Sequence, residues 1–296
     1  MSEKFKLGIV GHGFVGQAVD YAFTNPLVEK FYADPKYNTN IDDLIKWEPN
    51  MVFICAPTPM LENGAIDATI VNDAVLKLIQ HTESGIAIKS TVTPDVIKNL
   101  MVTVGFKEAQ HRVVYNPEFL TENSAKEQFI HAPFHVFGGT PQANAGLLGV
   151  YNMFSMCTMN NVFETAPIEA AFIKYAINSF MATKVTFFNQ LYDAATGMGA
   201  SFNNIIAGLE QDPRMGKSHM RVPGFDGKRG FGGACLPKDT AAFNSAFKGF
   251  TLLEKVVTIN NEYRSQYDLD EREKSNNVNY GQTQEEQQDQ VDGSPS

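Results

Sequence analysis

A short apolar run, Phe5 to Val10, leads directly into Gly11-His12-Gly13-Phe14-Val15-Gly16 and then into a helical pattern. G-x-G-x-x-G between a strand and a helix restricts the fold more than any other feature of this chain. In that setting the first glycine makes the tight turn. The second lets a pyrophosphate approach backbone N–H groups, and the third packs helix closely on strand. Gly11, Gly13, Phe14, Val15 and Gly16 therefore form a candidate nucleotide loop. A second apolar run, Val28 to Ala33, ends in Asp34. A carboxylate there accepts hydrogen bonds from both ribose hydroxyls of an adenosine and repels a 2′-phosphate, so NAD is expected over NADP. Lys36 is the counter-signal, a cation able to tolerate that phosphate, and a turn carboxylate before Pro35 is the plainer alternative for Asp34.

Further short apolar runs alternate with helix-like stretches through the first 165 residues: Met51 to Ala56, Gly85 to Ser90, Arg112 to Tyr115 and His135 to Gly138. That alternation predicts an α/β fold, a Rossmann-like doubly wound parallel sheet covered on both faces. The runs are followed by Pro57-Thr58-Pro59, Thr91-Val92-Thr93-Pro94 and Asn116-Pro117-Glu118-Phe119-Leu120. Each lies at the carboxyl end of a strand, where open α/β sheets bind ligands, although turn chemistry explains single prolines equally well. From Pro167 the pattern becomes one long helix without glycine until Gly197, and Lys174 and Asn178 project from one face of it. Ala241 to Asn261 reads as a further helix. The expected domains are residues 1–165, an all-helical 166–264, and a disordered acidic tail over 265–296, whose composition cannot offset its ordering entropy.

Much of the net charge of −9 lies in that tail, so no basic stripe is present to hold nucleic acid. No membrane span or signal peptide is apparent, and a cytoplasmic location is expected. Cys55, Cys157 and Cys235 are far apart and odd in number, which argues against a disulfide framework or a metal cluster. Met153, Met156 and Met159 read as packing residues. Cys235 differs from the other two thiols in its surroundings, Gly230-Phe231-Gly232-Gly233-Ala234-Cys235-Leu236-Pro237-Lys238-Asp239. Thiols become nucleophiles where cations or backbone N–H groups stabilise the thiolate, and glycines allow a substrate close approach. A buried structural cysteine beside a turn is the bland alternative. His219 and Arg221 are plausible phosphate contacts in a substrate loop, and a surface loop accounts for them as well.

Together these motifs resemble the UDP-glucose/GDP-mannose dehydrogenase family along nearly all of residues 5 to 262. The glycine loop, Ala56-Pro57-Thr58-Pro59, Asn116 to Leu120, Lys174-Tyr175-Ala176-Ile177-Asn178 and Gly230 to Asp239 each resemble a family motif. The chain resembles short forms that lack the C-terminal nucleotide-sugar-binding domain, like those carried by phages, in which case the host cytoplasm is its compartment. The resemblance implies oxidation of a primary alcohol on a nucleotide sugar, UDP-glucose first among candidates, to a carboxylate with two NAD+. An aldehyde has no hydride to give until a nucleophile adds to it, which is why a thiol is needed.

By resemblance, Cys235 forms the thiohemiacetal and thioester, and Lys174 and Asn178 stabilise oxyanions. Asp239 and Thr91 hold a water, and Glu118 serves thioester hydrolysis. Pro57, Thr58, Thr91, Glu122 and Lys238 join the cofactor contacts, and Glu118, Phe119, Leu120, Lys174, Asn178, Gly230, Phe231 and Gly232 face the substrate. A homodimer through the long helix is also implied. Thr91-Val92-Thr93-Pro94-Asp95 replaces the family's Thr-Val-Pro-Pro-Gly, and His135 stands where a more strongly charged base is usual. Two rivals remain: a two-electron β-hydroxyacid-type dehydrogenase, which needs no thiol, and a non-catalytic NAD-binding regulatory subunit.

Overall fold

Strands buried on both faces read as continuous apolar runs, and Met51–Ile54 is buried at every residue. The computed structural model describes residues 3–121 and 124–281. Its element order is β1 (Phe5–Val10), α1 (Phe14–Ala22), β2 (Val28–Ala33), α2 (Ile41–Lys46), β3 (Met51–Ile54), α3 (Thr69–His81), β4 (Gly85–Ile88), α4 (Pro94–Phe106), β5 (Val113–Tyr115), α5 (Ala125–Ile130), β6 (His135–Gly138), α6 (Pro141–Phe154), β7 (Val162–Thr165) and α7 (Pro167–Gly197). There follow α8 (Phe202–Leu209), α9 (Leu236–Ala246), α10 (Thr251–Arg264) and α11 (Glu271–Ser275). The chain forms two compact units, one from residues up to Thr58 with Ile66–Lys174, the other from Pro59–Ala65 and from Tyr175 onward.

The first unit is an α/β sheet in the order β2-β1-β3-β4-β5-β6-β7. The chain winds outward from β1 to β2 and then crosses back to β3, so the strand order reverses between β1 and β3. Loops leaving the carboxyl ends of those two strands flank the crevice in which such sheets hold nucleotides. Leu7, Ile9, Val19, Phe23, Phe53, Phe137 and Tyr151 form the core beneath it. The sheet is parallel except for β5 and β6, which pair antiparallel through Tyr115 and Gly138. Strand β7 went unanticipated because Val162-Phe163-Glu164-Thr165 is an edge strand with no buried residue, and it carries no apolar alternation.

The second unit is helical. One small core joins Phe188, Phe202 and Met220, and another joins Met60, Val278 and Tyr280. The single helix expected over Ala241 to Asn261 is two, broken between Ala246 and Thr251 where Gly249 takes a positive φ of 99°. The expected disorder from residue 265 is corrected more substantially. Residues 265–281 are ordered: α11 is capped by Asp270, and Glu273, Val278 and Tyr280 are buried. A few well-spaced apolar side chains and one ion pair suffice where composition suggested too little to bury. Residues 282–296 lie outside the described residues. Met153 and Met156, read as packing residues, are 64% and 44% exposed.

Candidate active-site groups

Two glycines of the loop after β1 answer separate steric demands. Gly11 has φ +83°, and a Cβ there would stand 2.8 Å from the Cys55 carbonyl oxygen. A Cβ on Gly16 would meet the Gly11 carbonyl oxygen at 2.1 Å. Gly13 caps α1 without any side-chain hydrogen bond, and the space its Cβ would enter is open. The first-turn N–H groups of α1 thus face an open cradle suited to a pyrophosphate. Asp34 follows β2 and is pinned beside this loop: Oδ2 accepts from the His12 N–H at 2.6 Å and Oδ1 from the Lys36 N–H at 2.8 Å. Lone pairs remain on both oxygens for ribose hydroxyls. These residues fit a dinucleotide. The Lys36 amine lies 5.7 Å from the Tyr37 ring centroid. Phe14 is 40% exposed at the start of α1. Val15, behind it, packs against the sheet core.

At the neighbouring strand ends, Pro57 is exposed and Thr58 is buried, its hydroxyl donating to the Thr91 carbonyl at 2.9 Å. After β5, the Glu118 carboxylate caps its own loop by accepting from the Leu120 N–H at 2.6 Å. Lys174 on α7 is 3% exposed, and its amine donates to the Glu118 carbonyl at 2.6 Å and approaches Glu118 Oε1 at 3.3 Å. It also lies 5.3 Å from the Phe119 ring, which meets Phe134 in a tilted contact. Leu120 packs against the sheet core. Glu122 falls outside the described residues.

One polar group under this loop escaped the sequence reading. Lys89, next after β4, is 2% exposed, and its amine donates to Asn116 Oδ1, which also accepts from Tyr151. Burial pushes the Lys89 amine down to about 8. Burial, with the Lys89 charge beside it, pushes His135 down to about 4, so that imidazole is neutral at pH 7. The absence of an adjacent acid in sequence hid Lys89, which looks like the polar end of a strand.

The second unit holds the thiol. Cys235 is partly exposed and is the N-cap residue of α9, its carbonyl accepting from the Asp239 N–H at 2.9 Å. A helix N-terminus favours a thiolate. Burial raises Cys157 and pushes Cys55 up to about 12, which keeps both as thiols. One turn after Cys235, Asp239 is 1% exposed. Its Oδ2 accepts from Asn178 Nδ2 at 2.6 Å and its Oδ1 from Lys238 Nζ at 2.5 Å. Lys238, expected at a cofactor phosphate, is 6% exposed and holds this carboxylate. Gly230 and Phe231, expected against substrate, are buried and anchored to Asn189 and Asn260. Gly232 is partly exposed. Arg221 lies over the ring of the 85%-exposed Phe225, and burial lowers His219, which has φ +62°.

Residues 26–155 match the model of the UDP-glucose/GDP-mannose dehydrogenase family NAD binding domain, and residues 168–262 match that family's central domain. The chain belongs to the UDP-glucose/GDP-mannose dehydrogenase family. A UDP-glucose 6-dehydrogenase of Rickettsia typhi is 34% identical over 70% of this chain and 47% of its own length. One from Bacillus subtilis is 30% identical over 80% of this chain and 52% of its own. The chain thus spans about half the length of these curated relatives. Its fold superposes on a UDP-glucose dehydrogenase from Pyrobaculum islandicum with a TM-score of 0.71 at 24% identity, over 88% of this chain and 69% of that one. A 3-hydroxyisobutyrate dehydrogenase from Mycobacterium tuberculosis gives 0.65 at 14% identity, over 90% of this chain and 96% of that one. The glycine loop lies before the matched NAD binding span, which includes Asp34, while α11 and Tyr280 lie beyond the match to the central domain. Among the described residues no cluster of His, Cys, Asp or Glu could hold a metal ion, and no helix is long and apolar enough to cross a membrane.

Proposed function

We propose that this chain oxidises the primary alcohol of a nucleotide sugar, UDP-glucose first among candidates, to the carboxylate through a covalent adduct on Cys235. The observation that carries the reading is a partly exposed thiol at a helix N-terminus, one turn from a buried carboxylate that Asn178 and Lys238 hold in place. Bound NAD+ supplies the hydride acceptor for each of the two oxidations; Gly11, Gly13, Gly16 and Asp34 would hold it, with Thr58 and Thr91 at the next strand ends.

Alcohol oxidation first releases the hydroxyl proton, which Asp239 receives through a water. Sγ of Cys235 then adds to the aldehyde carbon, and the former carbonyl oxygen takes the thiol proton. Loss of that proton and of the second hydride leaves a thioester. Water adds to it under general-base help from Glu118, the C–S bond breaks, and the thiolate returns. Lys174 and Asn178 stabilise the oxyanion stages, each worth a few kcal/mol in a desolvated setting. Lys174, fixed by Glu118, offers a directed ammonium, and Asn178, fixed by Asp239, a directed amide N–H. The chain's partner is a second copy: Phe180 and Phe187, two turns apart on α7, are 63% and 56% exposed. A Phe180→Ser, Phe187→Ser double variant is expected to run as a monomer in light scattering.

A Cys235→Ser variant tests the chemistry, supplied with NAD+ and a panel of UDP- and GDP-sugars. Acid formation is expected to fall by about 10³-fold or more while NAD+ affinity holds. Wild type should yield two NADH per sugar. One NADH with an aldehyde product would transfer the assignment to a two-electron dehydrogenase, and NAD+ binding without turnover of any sugar to a regulatory subunit.

A further inference from the structure

Glu273 is fully buried on α11, in the stretch whose composition suggests disorder and beyond the span matched to the family's central domain. Its carboxylate is saturated with donors. Oε1 accepts from the Gly233 N–H at 3.1 Å, from Arg264 Nη2 at 2.6 Å and from the Tyr280 hydroxyl at 2.7 Å, and Oε2 accepts from the Asp270 N–H at 2.9 Å. Arg264 is 1% exposed and reaches Asp226 Oδ2 at 2.7 Å with its other terminal nitrogen. A buried charge pair persists only when geometry and further hydrogen bonds offset its desolvation, and both conditions hold here.

The glycines of the Cys235 loop take their meaning from this pair. A Cβ on Gly232 would lie 2.1 Å from Arg264 Nη2, and one on Gly230 would lie 2.6 Å from Asn260 Oδ1 and 3.2 Å from Arg264 Cγ. The loop therefore rests directly on the guanidinium, with Asn260 clamping both backbone groups of Phe231. Gly233, at φ +79°, is pinned by Glu273 two residues before the thiol. The same segment is tied to the loop after β3, where the Met60 N–H donates to the Asn276 carbonyl at 3.0 Å and Met60 packs on Val278 and Tyr280.

We propose that Glu273, with Arg264 and Tyr280, is a positioning residue for the proposed nucleophile: it fixes the glycine turn that presents Cys235 at the start of α9. This deepens the reading of Cys235 given above and rests on it. Two variants are made in the full chain with side-chain volume kept: Glu273→Gln removes the charge and one acceptor oxygen, and Tyr280→Phe removes one donor. The first readout is the rate of Cys235 alkylation by iodoacetamide across pH, followed by peptide mass spectrometry; Cys55 and Cys157, with raised pKa values, report background. The second is turnover with UDP-glucose, scored for released aldehyde as well as acid.

In both variants the pH midpoint of Cys235 alkylation is expected to shift. Acid formation should drop about tenfold or more as aldehyde leaks, with KM for NAD+ unchanged, since small misplacements of a reacting group are costly. A Cys235 profile and an aldehyde yield equal to wild type in both variants would overturn the positioning role. So would equal losses of NAD+ affinity and thermal stability with Cys235 chemistry unaltered. Should Cys235→Ser still make acid, the covalent mechanism fails by itself, and the alkylation profile of Glu273→Gln still reports on the brace.

Discussion

The two units bury charge in opposite ways. In the first, Lys89 sits 2% exposed with the neutral amide of Asn116 as its acceptor, and burial brings its amine down to about 8. In the second, burial works against the Arg264 guanidinium too, yet Asp226, Tyr280 and Glu273 more than offset it and push its pKa up. A buried cation facing a dipole becomes easy to neutralise, whereas one facing two carboxylates keeps its charge and can serve as a rigid floor. The sheet unit offers uncharged backbone donors at the glycine start of α1. The helical unit relies on a saturated ion pair.

The largest effects separating the units fall on turnover. Lys174→Ala in the first and Asn178→Ala in the second should each lower kcat by about 10² to 10³-fold, with NAD+ affinity retained in calorimetry. Should Asn178→Ala instead abolish NAD+ binding, the division of labour between the units is wrong. Stability offers the next contrast. Glu273→Ala leaves Arg264 without its buried acid and should destabilise by about 3 to 5 kcal/mol in urea unfolding. Lys89→Met, which leaves Tyr151 on Asn116, should stabilise at pH 7 by about 1 to 4 kcal/mol. A loss of stability in Lys89→Met would mean that this amine is a structural partner after all.

pH sharpens the same comparison. The folded Lys89 amine titrates near 8 and the unfolded one near 10.5. The unfolded state therefore binds the extra proton between those values, and stability rises with pH across that window. Lys89→Met should flatten this rise in denaturation midpoints. His135 titrates near 4 folded against 6.5 unfolded, so its contribution is complete above pH 6.5 and is lost as pH falls through 4. His135→Gln should remove that part of the acid limb and leave pH 7 nearly unchanged. Smallest of all, Lys36→Ala should alter NAD+ affinity less than about threefold, because an exposed amine adds little in water.

Local rules made most of the first unit legible before any coordinates. Gly11, Gly13 and Gly16 follow β1 at a spacing that only a strand-to-helix turn satisfies, and Pro167 to Gly197 reads as one helix because a proline opens it and no glycine interrupts it. Strand β7 and the break at Gly249 were not legible. The first is an exposed edge strand, and the second depends on one residue's φ within an otherwise helical pattern. Lys174 and Asn178 stood out by their spacing, but their acceptors, Glu118 and Asp239, lie 56 and 61 residues away.

Sequence alone determined the alternation of strands β1 to β6 with helices, the glycine loop after β1, the acid at the end of β2 and the thiol set among glycines, since each is a short-range pattern enforced by backbone sterics. Tertiary structure alone decided which charges are buried and what answers them: Lys89 under Asn116, Lys238 on Asp239, and Glu273 beneath the cysteine loop. The free energy of a buried charge depends on donors and acceptors brought together by folding, and residues 265–281 show that a polar composition can be ordered when one carboxylate finds four of them.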